Sequence, residues 1–171
     1  QAVDSGIFVV AAAGNDGGSG DDGLVSVPGN VPRVITVGAS TQEQTVWRNS
    51  SSGSQTLSDG TSRQSPHLKP EVIAPGENII STGAGDQWYS SSGTSDSTVF
   101  VTGALSLILE AYPQFKPTAD SNGDCIDHVK NSFKETSLKY QLSVEHDDRW
   151  GYGQLQAFDW YQDLALQPWT C

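Results

Sequence analysis

Tyr89-Ser-Ser-Ser-Gly-Thr-Ser-Asp-Ser-Thr-Val-Phe-Val-Thr-Gly-Ala-Leu-Ser-Leu-Ile-Leu-Glu110 is the stretch on which the reading of this chain turns. Its first part is small and polar. From Val99 it is apolar on nearly every face, and a helix of that kind belongs in a protein interior. Gly103 inside it costs about 1 kcal/mol relative to Ala, so close packing against another element is expected there. Ser95 stands where a flexible loop enters this helix. The unpaired N–H groups and positive dipole end of the helix favour negative charge, which suits a nucleophile whose reaction creates an oxyanion. Gly93-Thr94-Ser95-Asp96 is equally good N-cap chemistry for any helix. The stretch alone leaves both readings open.

Working outward, 171 residues suit one domain with a sizeable core. The net charge of −11 argues against nucleic acid or an anionic membrane as partner, since both select a basic surface. No apolar run approaches the ~18 residues of a membrane span, so no membrane insertion is expected. Gln1 reads as the continuation of something already under way, and the expectation is a processed chain or a piece of a longer one. Of the two cysteines, Cys171 is the last residue. A disulfide to Cys125 in a secreted or extracellular protein is one reading, and two unrelated thiols the other.

Upstream of the opening stretch, Gly6 to Ala13 is a short apolar run that predicts a strand buried on both faces, of the kind found in parallel sheets. A Gly- and Asp-rich loop follows from Gly14 to Gly23, with Asn15 its first polar side chain. Ligand sites in open α/β sheets lie in such loops. Val31 to Ser40 predicts a second buried strand, Glu71 to Ala74 a third, and Asn78 to Thr82 a fourth. A short edge strand is expected near Thr45-Val46-Trp47, and Gly83 to Tyr89 reads as a turn. Downstream, Asp124 to Leu138 has helical spacing, with Asp124 as N-cap and Asp127 completing a capping box. Leu155 to Leu166 predicts a C-terminal helix. Asp120, Asn122 and Asp124 alternate oxygen side chains as a calcium loop does. They are weak candidates, because Cys125 and Asn131 stand where such a loop needs Gly and Glu. Turn plus cap is the competing reading.

Three pieces fall in order: Ala12-Ala13-Gly14-Asn15 after a buried strand, Lys69-Pro-Glu-Val-Ile-Ala-Pro-Gly76, and Gly93-Thr94-Ser95 opening a helix. With Ser26-Val-Pro-Gly29, Val34 to Ala39 and Trp150 to Leu155, they resemble the subtilisin-like serine proteases (subtilases) over nearly the whole chain. The resemblance implies a three-layer α/β fold with a mainly parallel sheet, seen here as the C-terminal half of one catalytic domain spanning residues 1–171. It implies Ser95 as nucleophile and Asn15 as oxyanion donor. It also implies Ala12, Ala13, Gly14, Asp16, Ser26, Gly93 and Thr94 as substrate-binding residues. Val27-Pro28 falls where the family often has a cis peptide. The chemistry needs no cofactor, and the partner is a peptide or protein substrate.

The triad is incomplete. Asp4-Ser-Gly6 has the family's letters but immediately precedes the first strand, and it is read as a false match. His67, His128 and His146 lack the family's context. The Asp and His are therefore expected from a missing N-terminal half or a second chain, and the isolated chain is expected to be inactive, with sheet edge and core face exposed. Asp96 to Val99 also depart from the family pattern. Asp96 either caps the helix or opposes the oxyanion, which keeps an inactive, subtilase-like binding or structural module as the alternative. The acidic loop at Asp16, Asp21 and Asp22 reads as solvated or as a match for a basic substrate side chain.

Overall fold

The computed structural model describes residues 1–18, 23–118 and 120–168. Three short strands, β1 (Val10–Ala12), β2 (Ile35–Ser40) and β3 (Val72–Pro75), form a parallel sheet in the order β1-β2-β3. The register pairs Val10 with Ile35 and Val37 with Val72. Every residue of β2 is buried, as its unbroken apolar run predicts. Alternation then sorts the side chains. Ile35, Val37, Val72 and Ala74 join the main core, while Thr36 meets Glu71 in a buried polar cluster. β1 is shorter than the apolar run from Gly6 to Ala13. Among the described residues its one strand neighbour is β2, and Ile7 is already exposed.

Helix α1 (Thr94–Ala111) crosses all three strands. Its buried residues Thr94, Ser97, Val101, Leu105 and Ile108 recur every three or four positions and form one stripe. The opposite stripe holds Val99, Gly103 and Leu107, with Val99 69% and Leu107 72% exposed. A Cβ placed on Gly103 would meet nothing within 4 Å. This corrects the expectation for Gly103, because among the described residues no element packs there. Beside that stripe runs an apolar groove of about 420 Å3, lined by Ala104, Leu107, Ile108, Ala157, Phe158 and Tyr161.

The segment from Gly83 to Tyr89, expected as a turn, instead forms a hairpin of β4 (Ile79–Gly83) with β5 (Gln87–Ser91). Gly85 and Asp86 take positive φ at its tip, the conformation that closes tight hairpins. Trp88 and Tyr89 are exposed on it. Near Thr45–Trp47 the structure has a single bridge, Ser40 to Val46, and no strand. Helix α2 (Asp124–Thr136) has Gly123 at its N-cap rather than Asp124, and no side-chain cap. The capping-box reading is thus corrected: Asp127 instead receives two hydrogen bonds from Arg33.

Helix α3 (Ala157–Ala165) starts later than expected, because the Leu155 N–H is drawn to the Ile73 carbonyl beside β3. Trp160 of α3 stacks on Phe133 of α2, and both helices complete the main core. Among the described residues no helix is long and apolar enough to cross a membrane. The expected partner of Cys125 is Cys171, which lies outside the described residues, as do Asp21 and Asp22.

Candidate active site

The loops after β1 and β3 and the start of α1 meet at the carboxyl end of the sheet. Gly76 makes this meeting feasible. It follows β3, and a Cβ there would stand 2.2 Å from Ser97 Oγ on α1 and 2.7 Å from the Ala39 side chain. Its carbonyl accepts the Gly93 N–H at 2.8 Å, which fixes the residue before the α1 N-terminus. The Pro75-Gly76 pair in the sequence is therefore a close-approach device between sheet and helix.

Asn15 lies opposite. Its Oδ1 accepts two hydrogen bonds from Thr94, one from the backbone N–H at 2.9 Å and one from the hydroxyl at 2.9 Å. The Gly14 N–H in turn donates to Thr94 Oγ1 at 3.1 Å. With its oxygen held this way, the Asn15 amide turns its NH2 outward beside Gly93. Ser95 is exposed on the first turn of α1, next to buried Thr94. Thr94 thus joins Asn15 to the positive end of an 18-residue helix, and the residue that follows Thr94 carries the Ser95 hydroxyl. Thr94, expected among substrate-binding residues, is fully buried behind Asn15 and orients it. Nothing in the local sequence announces that contact, which spans 79 positions.

The other expected residues are distributed around this point. Gly14 takes φ +116°, and its carbonyl accepts the Ser51 N–H while Ser51 Oγ accepts the Asp16 N–H. A Cβ on Gly29 would stand 3.1 Å from the Ala12 carbonyl, so the turn carrying Ser26 packs beside Ala12 and buried Ala13. Val27-Pro28 is cis. Asp16 and Ser26 are exposed.

Asp96 accepts a hydrogen bond from the Ser91 hydroxyl at 2.5 Å. It is not a side-chain cap of α1, which corrects the capping reading. Its carboxylate ties the helix to the end of β5. The histidines are engaged elsewhere. His67 Nδ1 accepts from Lys130 at 3.0 Å and its Nε2 faces Asp127. Burial, with Lys130 nearby, pushes its pKa down. His146 Nε2 donates to the Pro70 carbonyl and is also lowered by burial. His128 lies on α2. Asp4 sits beside Arg33, remote in role from a triad.

At the calcium candidates, Asn122 Oδ1 accepts the Asp124 N–H and Asp124 faces Arg33 at 3.5 Å. Asp120 N donates to Thr118 Oγ1. This is turn chemistry, and among the described residues no cluster of three or more His, Cys, Asp or Glu side chains could hold a metal.

One feature escapes sequence reasoning. Lys69, Glu71 and Lys130 are all fully buried. Glu71 Oε1 receives Lys69 at 2.8 Å and Lys130 at 2.6 Å, while its Oε2 accepts the Thr36 N–H. Lys130 lies on α2 four residues after buried Ile126, and only tertiary packing brings it here.

Known proteins resemble this chain in sequence and in fold. The Subtilase family profile matches residues 1–153. Subtilisin E of Bacillus subtilis is 39% identical over 113 residues, which is 66% of this chain and 26% of that protein. Serine protease AprX of Bacillus subtilis is 32% identical over 175 residues, covering 92% of this chain and 36% of that protein. The solved self-cleaved protease domain of PatA superposes with a TM-score of 0.68 at 24% identity, over 96% of this chain and 52% of that one, and so shares the fold. The chain spans about a third or less of the curated relatives it is compared with here. It is a member of the subtilase family and has that family's α/β fold.

Proposed function

We propose that this chain is the nucleophile-bearing, C-terminal part of a single subtilisin-type catalytic domain that hydrolyses peptide bonds. The observation that carries the reading is the double hydrogen bond from Thr94, the residue before Ser95, to Asn15 Oδ1, which leaves the Asn15 NH2 as the group free to donate, close to Gly93. Ser95 Oγ attacks the peptide carbonyl, and its proton passes to a His oriented by an Asp. Both of those come from the N-terminal portion of the domain or from a second chain. The tetrahedral oxyanion is held by Asn15 Nδ2 and the Ser95 N–H. The amine then leaves with the proton from His, and water hydrolyses the acyl-Ser95 ester.

The exposed stripe Val99–Gly103–Leu107 and the groove toward Phe158 support a missing partner. A helix apolar on all sides is stable only when all sides are covered, and the complement is the same N-terminal portion. Ala12, Ala13, Gly14 and Ser26 line the substrate side-chain pocket, with Asp16 at its rim and Gly93 beside the scissile bond. No cofactor takes part. We assign the protein to a secreted or extracellular setting. The relatives also include an intracellular serine protease of Paenibacillus polymyxa.

The inactive-module alternative rests on Asp96, and its bond to Ser91 on β5 gives that carboxylate a structural task. The test is hydrolysis of a peptide library by the chain assembled with its N-terminal portion. Cleavage that disappears in Ser95→Ala supports the enzyme reading. An assembly that folds but cleaves nothing overturns it.

A further inference from the structure

The residue after Ser95 carries a charge that no side chain balances. Asp96 is the one charged residue between Gln87 and Leu109. It is half-buried on the first turn of α1, where the positive end of the helix favours a carboxylate. Its Oδ1 is committed, because it accepts the Ser91 hydroxyl at 2.5 Å. Its Oδ2 accepts no hydrogen bond among the described residues, and it does not belong to the buried polar atoms that lack a partner, so it reaches solvent. Among the described residues no Lys, Arg or His forms an ion pair with it.

The free oxygen borders the site. A Cβ placed on Gly93 would stand 3.4 Å from Asn15 Nδ2 and 3.6 Å from Asp96 Oδ2. The amide donor and the free carboxylate oxygen therefore both lie within 4 Å of one point beside Gly93. Their anchors come from opposite edges of the sheet. Asn15 follows β1, on the side of Ala12, Ala13, Gly14 and Ser26. Ser91, which holds Asp96, ends the hairpin that follows β3, and the strand order is β1-β2-β3. A negative charge next to a forming oxyanion opposes the reaction unless a cation accompanies it.

We infer that Asp96 is a specificity residue, whose Oδ2 receives the cationic side chain of a lysine or arginine immediately after the scissile bond of the substrate. The inference rests on the proteolytic reading of Ser95 and Asn15. In that reading the β1 side takes the acyl half of the substrate, which leaves the departing half to the β3 side, where Asp96 is anchored. The ammonium or guanidinium neutralises the carboxylate while the oxyanion forms, and it leaves with the amine product. A leucine at that position leaves the carboxylate uncompensated, and a glutamate adds a second negative charge. The Ser91 hydrogen bond holds the carboxylate before substrate arrives, so little side-chain freedom is lost on binding.

The experiment gives the chain, assembled with its N-terminal portion, peptides identical except for Lys, Leu or Glu after the cleaved bond, and measures kcat/KM at low and high salt. The Lys peptide is expected to exceed the Leu peptide about three- to tenfold, with the Glu peptide lowest. The advantage of Lys is expected to shrink in high salt. Asp96→Asn keeps the shape and an acceptor for Ser91, and it is expected to lose the distinction between Lys and Leu. Asp96→Lys is expected to reverse the order in favour of Glu. The salt dependence of the parent enzyme tests the charge without any variant, so a variant that misfolds does not decide the matter. Equal rates on Lys and Leu in the parent, or a preference for Lys that survives in Asp96→Asn, overturns this assignment and leaves the proteolytic reading standing. Cleavage of none of the peptides by a folded assembly overturns the proteolytic reading and this inference with it.

Discussion

Asn15 and Thr94 act as a unit. Thr94 spends its N–H and hydroxyl on the Asn15 oxygen, so the amide can present only its NH2. In the assembled enzyme, Asn15→Ala is expected to lower kcat about 100- to 1,000-fold with KM little changed, the loss found for the equivalent donor in subtilisin itself. Thr94→Val keeps the backbone donor and the shape but removes the hydroxyl. It is expected to lower kcat about tenfold, with activity restored in Thr94→Ser, because a loosened amide is a poorer preorganised donor. A rise in KM alone, with kcat unchanged, would show that Thr94 touches substrate instead. At this scale the motifs that propose Asn15 and Ser95 were readable. The Thr94 contact was not, since Gly-Thr-Ser before a helix looks the same whether Thr caps, packs or orients. Asp96 was misread for the same reason: its partner Ser91 belongs to a strand that the sequence did not reveal.

Among the elements, α1 shows best what a composition can and cannot say. Its all-round apolar character predicts burial on every face, yet among the described residues only one stripe is buried. Gly103 sits in the bare stripe with open space around it. In the isolated chain, Gly103→Ala is therefore expected to stabilise the fold by about 0.5–1 kcal/mol, read by chemical denaturation. In the assembly, Gly103→Leu is expected to impair docking of the N-terminal portion and to raise the concentration needed for activity. Equal tolerance of Leu in both settings would place the docking face elsewhere. The buried strands were readable from unbroken apolar runs. β5 was not, because Gln87–Ser91 is exposed on both faces and has no apolar alternation. Its pairing depends on the tip residues Gly85 and Asp86.

At the scale of the whole molecule, the parallel sheet and its carboxyl-end site follow from the order of the motifs. The buried charges do not, because Lys130 is 61 positions from Lys69 in sequence and meets it only through the Pro32 and Val34 carbonyls and Glu71. These charges set a pH dependence. Lys69 has a folded pKa of about 7, below its unfolded value near 10.4. Between these values the unfolded chain binds more protons, so stability is expected to rise with pH across about 7 to 10. Tyr152 works in the opposite sense. Its pKa is pushed up to about 12, chiefly by burial, so above about pH 10 the unfolded phenol ionises first and stability falls. Denaturant midpoints of the assembly are expected to peak on the alkaline side. A peak below pH 7 would mean that Lys69 keeps its proton.

The most direct test of the central claim is covalent. The chain, assembled with its N-terminal portion, is treated with a fluorophosphonate and the adduct is mapped by mass spectrometry. A single adduct on Ser95 is expected, slowed markedly in Asn15→Ala and absent in Ser95→Ala. A folded assembly that leaves Ser95 unlabelled, or that labels equally well without Asn15, would contradict the assignment of this site as the nucleophile and oxyanion hole of a serine protease.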